Sequence, residues 1–139
     1  MEEQEYKHCF VCGQENPIGL HLTYEFDNQE ARAVIALDEV YGGYPGVAHG
    51  GIVTALLDEI MAKTVENLGI WAVTASLEVH FRRPTPVNTP LVLSGKLVKG
   101  KTRMFRTEAS LTLEDGTPLA EAAAVFVKNP ELAAVRSEG

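Results

Sequence analysis

A single stretch with helical periodicity, set among stretches with strand periodicity, is the feature that most constrains this chain. Across residues 52–68, Val53, Leu57, Ile60, Met61, Thr64 and Leu68 fall on one arc at about 100° per residue. Gly69 then stops the run. Elsewhere the apolar pattern has the two-residue period of strands. Residues 73–82 alternate Val73, Ala75, Leu77, Val79 and Phe81 with polar neighbours, which predicts a half-buried strand on the odd positions. Residues 20–26 and 31–37 flank Asp27-Asn28-Gln29-Glu30 and predict a hairpin. Residues 91–99, 103–113 and 119–128 predict three more strands, joined by Gly100-Lys101 and Glu114-Asp115-Gly116.

Strand, strand, long helix and four strands in a meander give an α+β chain, one antiparallel sheet wrapped around one helix. With 45% hydrophobic and 22% charged residues, 139 residues suit one soluble domain spanning 1–139. Residues 1–17 read as an irregular acidic lead-in and residues 130–139 as a frayed tail. A sheet covered by one helix leaves an outer face and edges in need of partners, so a homodimer joined through edge strands is expected.

The loop over residues 38–51 carries five glycines and one proline, and it enters the helix through Gly46-Val47-Ala48-His49-Gly50-Gly51. Paired glycines at a helix start leave the N–H groups of the first turn open to an anionic ligand. Asp58 follows two turns later, beside the apolar arc, in a stripe of small residues with Gly51, Ala55 and Ala62. A carboxylate so placed faces a narrow cleft and is more basic than in water. The alternative is the edge of a solvated acidic face running on into Glu59, which with Lys63 and Glu66 forms a second arc. His49 is either a contact to substrate or a loop histidine bonded to the backbone.

The net charge is −7, which argues against a nucleic-acid partner. Yet there is no Asp or Glu from Val79 to Thr107, while seven of the twelve basic residues lie there. Such a segment suits the phosphates of a nucleotide-bearing substrate, with Arg82, Arg83, Lys101 and Arg103 as candidate contacts. A solvated, lysine-protected edge explains the same pattern. No run is long enough for a membrane span, and the start at Met1 is acidic, so a cytoplasmic location is expected. There Cys9 and Cys12 would be free thiols. With His8 and His21 they could supply four zinc ligands, but a second correctly spaced pair is missing, so packing is the default and no metal is expected.

The motifs Cys9-Phe10-Val11-Cys12-Gly13, Asn16-Pro17-Ile18-Gly19-Leu20, Pro45 to Gly51 with Asp58, Val73-Thr74-Ala75-Ser76-Leu77 and Phe81-Arg82-Arg83-Pro84-Thr85-Pro86 carry a resemblance. The chain resembles the hotdog-fold acyl-CoA thioesterases, in the PaaI-like and THEM-like branch of the 4-hydroxybenzoyl-CoA thioesterase superfamily. The resemblance implies about six strands wrapped around a central helix. It also implies dimers joined through a continuous sheet, often paired into tetramers, with active sites at the subunit interface. It implies that Asp58 is the catalytic carboxylate, attacking the thioester or activating water. The Gly50 N–H, with Gly51, would form the oxyanion hole, His49 would stand beside it, and Thr74 would position the hydrolytic water. No cofactor is implied. Some relatives carry an asparagine six residues before the histidine, where this chain has Gly43. A non-catalytic acyl-CoA sensor and a hotdog hydratase are the rival readings. The first is expected to lose the carboxylate, and the second to carry a different Asp/His motif.

Overall fold

A computed structural model gives the structure of residues 7–132. Residues 1–6 of the expected lead-in and 133–139 of the expected tail lie outside the described residues. The strands are β1 (Glu25–Asp27), β2 (Glu30–Ile35), β3 (Ala72–Phe81), β4 (Leu91–Gly100), β5 (Met104–Leu113) and β6 (Pro118–Lys128). They form one antiparallel sheet in the order β1-β2-β4-β5-β6-β3. Helix α1 (Gly50–Glu66) connects β2 to β3 at the opposite edge, crossing one face of the sheet on the way. This is the hotdog arrangement. None of the helices described is long and apolar enough to cross a membrane.

The core lies between α1 and the inner sheet face. Val53, Leu56, Leu57, Ile60 and Met61 are fully buried against Leu91, Leu93, Leu111, Leu119 and Phe126. Each such aliphatic side chain contributes about 1.5–3 kcal/mol through removal from water. The helix comes closest at Gly95 of β4, where an added Cβ would sit 3.0 Å from both the Cγ2 and the carbonyl oxygen of Ile60. The hairpin turns through Asn28 and Gln29, both at positive φ (48° and 68°), the signature of a tight primed turn.

Four expectations need correction. Of residues 20–26, only the last belong to a strand. Leu20 and Leu22 are buried and donate their N–H groups to Phe10 and Val11 carbonyls at 2.8 Å, so this stretch pairs with the turn before it. The helix begins and ends two residues earlier than its pattern suggested, because His49 caps it, and Leu68 is left 46% exposed. The arc of Glu59, Lys63 and Glu66 is not a solvated face, for Lys63 is only 2% exposed. Strands cover one side of α1 and residues from the N-terminal segment cover another, so the buried arc is wider than one sheet would make it.

The fourth correction concerns β3. Its pairing with β6 slips between Thr74 and Ser76, leaving Ala75 as an extra residue. A bulge of this kind shifts the alternation by one position. Leu77 and Val79 pack against the core as expected, but before the bulge the packed residue is Ala72, while Val73 and Ala75 are exposed. Thr74 is thereby turned toward the helix.

Candidate active site

The N-terminus of α1 is built by its glycines. His49 has extended backbone angles and acts as N-cap, and its Nδ1 accepts the Gly51 N–H at 2.9 Å. Capping through Nδ1 places the ring proton of the neutral imidazole on Nε2, which is left as a donor. Gly51 has to be small here, because an added Cβ would lie 3.0 Å from His49 Nδ1. The Gly50 N–H, by contrast, has no hydrogen-bond partner among the described residues. A Cβ at Gly50 would meet only the Phe81 ring at 3.7 Å, an ordinary contact. The two glycines therefore differ: Gly51 serves the cap, and Gly50 leaves a donor open at the positive end of the helix.

The loop before the helix is pinned on both sides. Ala48 donates to the Thr85 carbonyl at 2.8 Å, His49 to Tyr41 at 2.9 Å, and Gly43 to Val47 at 2.8 Å. At Gly43 a side chain would approach His49, its Cβ falling 3.4 Å from the His49 Cα. This chain has none there.

Two turns along α1, Asp58 Oδ1 accepts the Thr74 hydroxyl at 2.8 Å. Burial lifts the Asp58 carboxyl above the ordinary carboxylate range; the Thr74 hydrogen bond pulls it partly back, and Glu59 adds to the rise. No cation is paired with Asp58 among the described ion pairs. Gly51 and Ala55, two turns and one turn before it, and Ala62 after it keep some exposure, as expected of a stripe facing a cleft.

The basic candidates do not gather at one place in a single chain. Arg82 and Arg83 follow β3, where both N–H groups bond the Leu119 carbonyl, beside Phe81 and thus beside Gly50. Arg82 also pairs with Glu121 at 3.1 Å, both side chains about half exposed, an arrangement worth little by itself. Lys101 and Arg103 lie in the β4–β5 turn at the other end of the sheet, where Lys128 donates to the Arg103 carbonyl and pairs with Ala72 at the start of β3. Gly50 and Asp58 are also apart: eight residues along a helix span about 12 Å.

What sequence reasoning missed is the bulge at Ala75 that turns Thr74 inward, and the buried cluster around Lys63. Its ammonium lies 3.1 Å from Glu59 Oε1 and 2.9 Å from Glu66 Oε2. Burial alone would lower the Lys63 pKa, but Glu59 and Glu66 outweigh it and hold the ammonium above its ordinary range. The i,i+4 spacing of Glu59 and Lys63 was the available signal; their burial was not.

The family model described as the thioesterase superfamily matches residues 45–120, from the loop before α1 into β6. The chain belongs to the thioesterase superfamily. Bovine acyl-coenzyme A thioesterase THEM4 is 27% identical over 126 residues, covering 88% of this chain and 52% of that protein. This chain thus spans about half the length of the curated relative. A crystallised thioesterase superfamily protein superposes with a TM-score of 0.83 at 31% identity, over 88% of this chain and 61% of that one. The smu.793 protein of Streptococcus mutans, crystallised bound to acetyl CoA, shares the fold at a TM-score of 0.73 and 18% identity, over 78% of this chain and 88% of its own.

Proposed function

We propose that this protein, acting as a single domain, hydrolyses acyl-CoA thioesters at sites shared between two subunits. The observation that carries the reading is the Asp58 carboxylate, half-buried, without a paired cation among the described residues, and aligned by the Thr74 hydroxyl at 2.8 Å. The thioesterase family and the acyl-CoA thioesterase relatives supply the substrate class.

Hydrolysis places negative charge on the carbonyl oxygen. The open Gly50 N–H, at the positive end of α1, meets that charge without reorganising, and one such donor is worth roughly 3–4 kcal/mol. His49 Nε2–H is the second donor within the same loop, and Gly51 supports it by giving its N–H to the ring. Asp58, one oxygen held by Thr74, has its other oxygen free to take a proton from water or to attack the carbonyl carbon. Coenzyme A then leaves as thiolate. As a positioned base the carboxylate would contribute on the order of 10²–10⁴-fold.

One carbonyl cannot reach both Gly50 and Asp58 of the same helix across about 12 Å. The ten-residue edge strand β3 resolves this. Its outer edge is unpaired among the described residues, and it carries exposed Val73 and Phe81. Pairing two β3 strands antiparallel sets the Phe81 end of one beside the Ala72 end of the other. Gly50 and His49 of one subunit then approach the Asp58–Thr74 pair of its partner. The same pairing joins Arg82 and Arg83 of one subunit with Lys101 and Arg103 of the other, a basic rim for the coenzyme A phosphates.

The test is release of free thiol from a panel of aliphatic and aromatic acyl-CoAs. Turnover is expected, with Asp58→Ala losing at least about a hundredfold in kcat. Binding without turnover across the panel would point to a sensor instead, and full activity in Asp58→Ala would remove the carboxylate from the mechanism. Replacing Arg82 and Arg83 by Ala should raise KM more at low salt than at high salt.

A further inference from the structure

We propose that Cys9, Cys12 and Glu59 form a site for a thiophilic divalent cation, zinc above all, clamping the N-terminal turn to a face of α1 about 100° around the axis from Asp58. The proposal stands apart from the thioesterase reading, because none of its ligands takes part in the hydrolysis described above.

The turn is shaped to present its sulfurs. In Cys9-Phe10-Val11-Cys12-Gly13 the Gly13 N–H bonds the Cys9 carbonyl at 2.9 Å, and the Cys12 N–H points at Cys9 Sγ at 3.4 Å. Only glycine fits the fifth position, since a Cβ there would fall 2.4 Å from the Cys9 nitrogen. Phe10 and Val11 receive the Leu20 and Leu22 N–H groups, and buried Val11 anchors the turn in the core. The turn is therefore held rigid by groups other than its thiols.

Glu59 comes from the helix to meet it. Its two oxygens each lie 3.7 Å from Cys9 Sγ, and the ligand atoms of all three residues lie within 4.8 Å of one another. Tetrahedral zinc, with bonds of about 2.3 Å to sulfur and 2.0–2.2 Å to oxygen, sets neighbouring sulfur and oxygen ligands about 3.5 Å apart. Small side-chain adjustments close the difference. Two thiolates favour zinc over magnesium or calcium. Lys63 Nζ, 3.1 Å from Glu59 Oε1, holds the carboxylate and leaves Oε2 for the ion, as outer partners of metal ligands commonly do. The cation and the Lys63 ammonium offset all but one negative charge of the two thiolates, Glu59 and Glu66. The histidines suggested by the sequence are not in the set: His21 Nε2 is bonded to the Asn16 carbonyl at 2.6 Å, and His8 is absent from the cluster. A fourth position is left to solvent. On binding, any proton still held by the two sulfurs passes to solvent.

The experiment titrates reduced, chelator-stripped protein with Co²⁺ and then with Zn²⁺. One Co²⁺ per chain is expected, with thiolate-to-cobalt charge-transfer absorption, displacement by Zn²⁺ and release of protons to solvent. Glu59→Gln should weaken binding by about 10–100-fold while keeping the charge-transfer bands, and Cys9→Ser should abolish those bands or cut their intensity. Where a cysteine variant fails to fold, the unaltered chain decides: Zn²⁺ should protect both thiols from alkylation, read by peptide mass spectrometry. Equal alkylation with and without Zn²⁺, no stoichiometric uptake, or a Cys9–Cys12 disulfide in a chain that takes up no metal when reduced would overturn the proposal.

Discussion

Asp58 and Glu59 are consecutive residues on α1, about 100° apart around its axis, and their carboxylates have opposite surroundings. Glu59 has the Lys63 ammonium at 3.1 Å and the Cys9 thiol at 3.7 Å. Asp58 has one neutral hydroxyl, that of Thr74, and small residues along its stripe. A carboxylate matched by a cation serves structure, in packing or as a ligand. One that is desolvated without a matching cation stays basic, and reactivity follows from that incomplete neutralisation. The helix thus separates structure from chemistry by a rotation of one residue.

The comparison can be broken first at its structural side. Lys63→Met leaves the partly buried Glu59 and Glu66 without their cation and should cost about 1–3 kcal/mol, seen as a lower urea midpoint. A variant of unchanged stability would mean that this face is not neutralised as described. On the catalytic side, Thr74→Ala removes the bond that stabilises ionised Asp58. Its carboxyl should rise further, so the acid limb of kcat/KM should move to higher pH, together with a fall in kcat. A limb left in place would separate Thr74 from the titration of Asp58.

Smaller effects sharpen the picture. Gly51→Ala puts a methyl group 3.0 Å from His49 Nδ1 and disrupts the cap, which is worth about 1 kcal/mol. Gly50→Ala meets only ordinary contact with Phe81, so its thermal stability should be kept closer to that of the parent while turnover falls. The least effect concerns Asp58 in the absence of substrate. Its raised pKa means that the native state holds the proton more tightly than the unfolded chain does. That advantage is present below the ordinary carboxylate range and is lost as pH rises through the raised value. Asp58→Asn should therefore melt higher than the parent at neutral pH, and calorimetry in acid should find the gap closed.

Much of this was legible in the residues. The one helical period at 52–68 against strand periods elsewhere led to a sheet around a helix, because an apolar arc has to be covered and only strands were available to cover it. Asp58 stood out because small residues at 51, 55 and 62 share its stripe, a spacing that the helix preserves wherever it packs. The partition between the two glycines was not legible, since it depends on which N–H the His49 ring captures. Nor was the inward turn of Thr74. Alternation placed it on the outer face, and only pairing with β6, which leaves Ala75 over, reverses that.

The sequence by itself determined the elements, their order and the small-residue stripe around Asp58, all consequences of local periodicity and of what glycine and alanine leave open. Only the tertiary structure decided which charges are buried. Lys63 is enclosed because residues far away in the chain, Tyr24 among them with its ring 5.4 Å from the ammonium, close over a face that helical periodicity alone assigns to water. Periodicity records one covering surface. Two surfaces, brought together from distant segments, leave no periodic trace.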